Sequence, residues 1–442
     1  MGYIDNILFA VLLAVGFGFF ISNVKKLIRN IKLGQAVDRS DNKGERWANM
    51  ARVALGQSKM VKRPIAAILH IIVYVGFIII NIELLEIIID GLFGTHRVFA
   101  FMGTAYNVLI GAFEILAILV LVAVITFLVR RNIIKLKRFI HNDLKGWPKS
   151  DANYILYFEI VLMALFLLMN AADFTLQQRG APHFIQAGSF PVSQFVAPVF
   201  NGISTETLLI LERVFWWMHI AGILIFMNYL YFSKHLHILL AFPNTYFADL
   251  NPLGKFDNLE SVTKEVKLMM DPNADPFAAP AADADAAPAK FGASDVQDLN
   301  WVQLLNAYTC TECGRCTSSC PANITGKKLS PRKIMMDTRD RLEEVGKNID
   351  ANKGVFVADN KTLLNDYITP EELWACTSCN ACVEECPVNI SPLSIIMDMR
   401  RYLVMEQSAA PMSLNAMMTN VENNGAPWQY SQQDRLNWKN EN

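Results

Sequence analysis

Five apolar runs before residue 240, at 3–23, 64–89, 104–129, 154–176 and 208–232, decide most of what this chain can fold into. Each is near the ~20 residues a helix needs to cross a bilayer core. In lipid no water satisfies backbone N–H and C=O groups, so segments of this length and composition must be helices. The residues between the runs set the orientation. Residues 24–64 carry eleven Lys and Arg and residues 130–153 carry seven, whereas 90–103 and 174–207 carry one each, Arg97 and Arg179. The positive-inside rule then predicts the N-terminus outside, both basic loops in the cytoplasm, and everything past Phe232 in the cytoplasm. The first run begins with Asp5, has no Lys or Arg ahead of it and no small-residue cleavage pattern after it, so it reads as a retained helix rather than a secretory signal.

The second half has another character. Residues 271–290, DPNADPFAAPAADADAAPAK, lack the apolar content and periodicity to build a core and read as a flexible tether that leaves the following part free to change position. From Asn300 onward apolar residues recur at helical spacing, as in LSPRKIMMDTRDRLEEV and LSIIMDMRRYLVMEQ, each preceded by a Ser-Pro helix start. Strand signals are weak throughout. The expected architecture is all-α: a five-helix transmembrane bundle at 1–245, a polar segment and Ala/Pro/Asp linker at 246–295, a cytoplasmic α-helical ferredoxin-like domain at 296–406, and a tail at 407–442 suited to docking a partner.

All eight cysteines fall in two copies of one pattern, CTECGRCTSSCP from Cys310 and CTSCNACVEECP from Cys376. In C-x2-C-x2-C-x3-C-P a short loop wraps three thiolates round one cubane cluster while the fourth reaches the other cluster. The spacing therefore predicts two [4Fe–4S] clusters with crossed ligation: Cys310, Cys313, Cys316 and Cys386 on one, Cys376, Cys379, Cys382 and Cys320 on the other. Gly314 and Ala381 are the small residues expected where backbone nears a cluster. The competing chemistry, two structural zinc sites, groups cysteines two and two rather than three and one. In a reducing compartment the thiols read as metal ligands before disulfides. Two clusters in one small domain imply a conduit for single electrons.

Four histidines lie in or beside the apolar runs, where an ionisable side chain is costly without a partner. His219 and His237 are eighteen residues apart, five whole turns of one helix at ~100° per residue, and so face one way. His70 lies near the cytoplasmic edge of the second run. A haem b held by two imidazoles from facing helices is expected, with His70 and His237 the preferred pair and His70 and His219 the competing one; His235 points elsewhere and reads as structural. Among the acidic residues Glu114 is the proton-path candidate, with Glu83 and Glu86 read as interfacial. His96 and His183 fall in outer loops and read as solvated. Arg400 and Arg401 read as a solvated helix face. No nucleotide-binding loop, hydrolytic triad or nucleic-acid-binding pattern is present.

The stretches CTECGRCTSSCPANITGKKLSPRKIMMDTRD and WACTSCNACVEECPVNISPLSIIMDMRRYL resemble the iron–sulfur subunit of heterodisulfide reductases and related membrane Fe–S oxidoreductases. The first half resembles, more loosely, the five-helix cytochrome b subunit of respiratory nitrate reductase, above all in MHIAGILIFMNYLYFSKHLH. One departure stands out: Ile80 occupies the place, ten residues after His70, where that cytochrome has a second histidine, so one haem is expected rather than two. The resemblance implies a membrane-bound electron-transfer subunit that passes electrons between the membrane quinone pool and a cytoplasmic partner. That partner would be electron-transfer flavoprotein or a separately encoded subunit with cysteine-rich CCG domains, and the location a bacterial or archaeal cytoplasmic membrane. The alternative is a membrane-anchored Fe–S redox sensor or accessory protein without quinone chemistry.

Overall fold

The computed structural model describes residues 3–273 and 290–440. Those residues form helices and turns, and the only β pairings among them are the isolated bridges Gln35 to Asn300 and Leu364 to Ile368. Five helices are long and apolar enough to cross a membrane: Tyr3–Ile31, Pro64–Phe93, Thr104–Asn132, Trp147–Gln178 and Thr205–Phe232. Most run past the ends expected from hydropathy. The first continues to Ile31 rather than stopping at Asn23, because helical hydrogen bonding persists where the chain leaves lipid for a protein surface. The second span starts with Pro64, whose missing N–H costs nothing there, and stops at Gly94 with φ +70°.

The fourth span is the most enclosed, and the first lies at the edge. Phe113, Phe166, Ile110, Ile220 and Tyr106 fill the middle of the bundle with almost no exposure, while Ile4, Ile7, Phe19, Ile68, Val108 and Ile210 point outward. An apolar outer surface on that scale is what a helix bundle immersed in lipid presents.

The fifth span does not continue into a straight helix. Its α-helix ends at Tyr229, a tight turn covers Leu230–Phe232, Ser233 is extended (φ −119°, ψ 147°), and after a second turn a new helix runs over His237–Tyr246. Asp151 holds the break from both sides, accepting from the Tyr229 hydroxyl at 2.6 Å and the Lys234 N–H at 3.1 Å. The five-turn arithmetic linking His219 and His237 therefore does not describe their relative direction.

In the cysteine-bearing half the main helices are Trp301–Thr309, Pro331–Ala351 and Pro392–Met405. The last two begin at Ser-Pro steps, Ser330 capping Lys333 N–H and Ser391 capping Ser394 N–H, both at 3.3 Å. This half is not loosely tethered. It sits against the end of the bundle made by the C-terminus of the first span and the start of the second. Arg332 and Asp143, both buried, pair in two-pronged fashion at 2.5 and 3.1 Å. Asn30 donates to the Tyr308 hydroxyl at 2.9 Å, and a Cβ on Gly346 would stand 2.5 Å from the Asn30 side chain. Removing one partner of a buried ion pair typically costs about 3–5 kcal/mol, so these contacts fix the position of the domain. Of the tether read at 271–290, residues 274–289 lie outside the described residues. The polar segment before it holds a helix, Glu260–Met270. After residue 407 a helix, Met412–Asn424, is followed by a turn carrying exposed Leu436 and Trp438.

Candidate metal centres

The two cysteine runs fold alike. Each leaves a short helix and places its third and fifth residues in the left-handed region: Glu312 (φ +54°) and Gly314 (φ +71°) in the first, Ser378 (φ +56°) and Asn380 (φ +60°) in the second. Each then turns through a five-residue helix, Arg315–Ser319 or Ala381–Glu385, to its last cysteine. The counterpart of Gly314 is thus Asn380, not Ala381; Asn tolerates the left-handed region because its short amide bonds locally. In the first loop only Gly serves, since a Cβ would lie 2.5 Å from Arg332 Nη1.

This backbone turns the thiols inward. Cys310, Cys313, Cys316 and Cys386 line one cavity of about 380 Å³, with Cys382 also in its wall. Cys320 lies within electrostatic reach of Cys376 and Cys382, and both of these of Cys379. The sulfurs thus fall into two groups of three plus one. All eight are free thiols, and among the described residues no three His, Cys, Asp or Glu side chains are gathered as a single ion requires. Three thiols plus one is the donor pattern of paired cubane clusters, whereas zinc modules group cysteines two and two. Backbone N–H groups of Ser378 and Ile390 point at Cys376 and Cys386 sulfurs at 3.4 and 3.3 Å. Burial pushes the Cys310 and Cys382 thiols up to about 12 and Cys386 to about 11. Thiolates at neutral pH here need a bound cation.

The first loop faces the bundle and the second is the more exposed. Glu312 is buried, and its carboxylate is gripped by Lys234 from the break in the fifth span and by Arg339 at 2.9 Å. Burial alone would raise its carboxyl; the two cations outweigh it and hold it below the usual range. Arg400 is no solvated side chain: it donates to the Leu373 and Cys376 carbonyls at 2.6 and 2.5 Å and stacks over Trp374 at 4.9 Å, pinning the second loop. Arg401 pairs with Asp398 at 2.8 Å.

The break in the fifth span brings His237 to His70, ring centres 6.4 Å apart at 40°. An imidazole nitrogen sits ~2 Å from a first-row metal ion, and roughly 1 Å more to each ring centre puts two imidazoles on one iron about 6 Å apart, a spacing close to the one seen here. His237 Nδ1 meets the Lys234 carbonyl at 3.1 Å, and His70 Nδ1 is buried without a partner. Burial lowers His237 to about 4, so it is a neutral, ligand-competent imidazole. Beside it a cavity of about 730 Å³ is rimmed by Arg130, Arg131, Arg138 and Lys234, a cationic edge suited to carboxylates such as haem propionates. His235, read as structural, lies in the same wall, its ring centre 5.4 Å from that of His237 and its Nε2 4.0 Å from Glu159. Thr311, one residue after Cys310, lines both this cavity and the thiol cavity.

His219 stands apart, against Phe166 at 6.0 Å. Glu114 is buried and spent on structure: it accepts from Asn170 at 3.3 Å and from the Val192 and Ser193 N–H groups at 2.9 and 3.1 Å, capping a turn of the loop between the fourth and fifth spans. Glu83 and Glu86, read as interfacial, are instead buried. Glu86 accepts from Phe99 N–H and the Tyr106 hydroxyl at 2.9 and 2.8 Å. His96 is not merely solvated: it pairs with Asp173 at 3.4 Å and packs on Phe184.

Residues 309–390 match the 4Fe–4S dicluster domain. Over 99% of its length the chain is 30% identical to a probable iron-sulfur-binding oxidoreductase, FadF, of Bacillus subtilis, covering 61% of that protein. Over 96% of its length it is 26% identical to an EtfAB:quinone oxidoreductase of Syntrophomonas wolfei, covering 57%. Over 24% of its length it is 33% identical to one of the subunits of a ferredoxin/F420H2-dependent CoB-CoM heterodisulfide reductase of Methanosarcina acetivorans, covering 52% of that subunit. The chain thus spans about three fifths of the first two relatives. No solved structure matches it. The chain is a multi-pass membrane protein with an iron–sulfur domain like that of heterodisulfide reductases.

Proposed function

We propose that this chain is a membrane electron-transfer subunit that carries electrons between a cytoplasmic redox partner and the quinone pool. The observation that carries this is the shared residue Thr311. The first cysteine loop and the cavity beside His237 share this residue, a proximity that a sensor on an inert anchor would not need. Cys310, Cys313, Cys316 and Cys386 would hold one [4Fe–4S] cluster, Cys376, Cys379, Cys382 and Cys320 the second, and His70 with His237 one haem b; when bound, these groups supply one-electron steps.

The chain's own residues arrange the relay. Glu312, clamped by Lys234 and Arg339, fixes the first loop against the fifth-span break, and Arg130, Arg131 and Arg138 offer charge to an anionic cofactor. The second loop, with exposed Cys379, faces a soluble partner. The relative named for EtfAB and quinone supports a quinone as the membrane substrate and electron-transfer flavoprotein as the partner; a CCG-domain subunit is the other candidate, with residues 407–442 as a docking tail. The basic loops support an N-terminus outside and the iron–sulfur domain in the cytoplasm.

The test is a dithionite-reduced minus oxidised spectrum of anaerobically purified chain, with haem and non-haem iron measured together. One b-type haem per about eight irons is expected, with His237→Ala losing the haem band and keeping the iron. Iron without any haem band would favour the accessory-protein reading.

A further inference from the structure

The middle of the bundle holds a second cavity that the relay above does not use. Its wall is mainly apolar, with Val73, Ile80, Leu84, Phe166 and Ile223 among its residues; of its titratable side chains, Glu159 faces His235 at 4.0 Å, while Glu83 and His219 have unmet needs. His219 is buried; its imidazole meets the Leu162 backbone, while Nδ1 has no hydrogen-bond partner. Glu83 is equally buried, and its Oε2 has none. A buried polar atom left unpaired is costly, so a pair of them in one apolar cavity marks a place for a ligand with polar atoms on an apolar body. Phe77 and Asn81, also in the wall, are exposed on the outer, lipid-facing side of the second span, so a lipid-soluble ligand has a lateral way in.

Glu83 and Ile87 also line a third cavity, at the end of the bundle remote from the iron–sulfur domain. That cavity contains Glu86, Asp90, His96, Arg97, Asp173 and Glu212 and reaches exposed residues at Thr95. The charged groups that act on Glu83 are Arg97, Glu86, Glu114 and Asp173. Glu83 is thus the one carboxylate shared by the apolar cavity and the polar cluster.

We propose that the cavity between Ile80 and His219 binds a quinone head group, one oxygen at His219 and the other at Glu83, and that Glu83 exchanges its protons with the face opposite the iron–sulfur domain. This rests on the electron-transfer reading for its electrons. In the reducing direction a quinone takes two electrons, delivered one at a time from the iron–sulfur end, and two protons, passed through Glu83, to become the quinol; oxidation runs the same balance backwards. Electrons and protons then reach the head group from opposite faces of the membrane.

The experiment uses full-length holoprotein in detergent and the quinol analogue heptyl-hydroxyquinoline N-oxide, with binding followed by quenching of its fluorescence. Wild type should bind one analogue per chain. His219→Leu and Glu83→Gln should each weaken binding at least tenfold, and Ile80→Trp, which fills the cavity, should abolish it, all with wild-type haem and iron content. In proteoliposomes, a dye confined to the compartment opposite the iron–sulfur domain should report proton exchange during quinone turnover, slowed in Glu83→Gln. Two haems per chain, one of them lost in His219→Leu, would overturn the proposal by making this a haem site. Unchanged analogue binding in all three variants, or proton exchange on the iron–sulfur side, would also overturn it. In each of those cases intact clusters and one His70/His237 haem leave the electron-transfer reading standing. Absence of any haem, with quinone-independent clusters, would instead defeat that reading.

Discussion

At the scale of single residues, the first cysteine loop differs from the second by what stands against it. Gly314 meets Arg332 from the helix that docks on the bundle, so Gly314→Ala sets a methyl against a buried guanidinium and adds ~1–2 kcal/mol of left-handed strain. The expected result is loss of one cluster, non-haem iron falling from about eight to about four per chain, while Asn380→Gly in the second loop keeps the full complement. Iron assays on the two purified variants check this. The repeat itself was legible in the sequence. The left-handed role of Asn380 and the clamp by Arg400 were not, because both follow from backbone direction rather than spacing.

At the scale of elements, the break after Tyr229 is what brings His237 to His70. A continuous helix would have carried His237 along its own axis; Asp151, contributed by the fourth span, stops it by taking hydrogen bonds from residues on both sides. Asp151→Ala leaves those buried donors unpaired, a cost of ~1–3 kcal/mol. The expected outcome is a lost or broadened haem α-band with unchanged non-haem iron, read from one reduced spectrum and one iron assay; an unaltered band would mean that the break holds itself. Spans and helix starts could be read from the chain, since hydropathy and Ser-Pro caps act locally. The break could not, because the residue that enforces it lies in a different span, far along the chain.

At the scale of the whole molecule, the iron–sulfur domain is held to the bundle by buried charge. Asp143→Ala strands Arg332, and the ~3–5 kcal/mol this costs should loosen the docked face, seen as faster hydrogen exchange over 331–346 with both clusters retained. Orientation has its own test. A cysteine placed at exposed Phe101 should react with a membrane-impermeant maleimide in intact cells, and one at exposed Leu253 only after permeabilisation; the reverse pattern would invert the topology expected from the basic loops.

What the sequence alone determined is whatever depends on neighbours along the chain: five helices long and apolar enough to cross a membrane, and two cysteine runs that fold alike. Lipid and metal coordination impose those demands residue by residue, so composition and spacing carry them. What only the tertiary structure decided is how groups meet: the break that sets His237 against His70, the pair the sequence preferred, Glu312 with Lys234, Glu114 spent as a cap, and Glu83 between two cavities. Each of these pairings joins distant segments, and its energy comes from burying polar groups together, a quantity that has no value until the chain is packed.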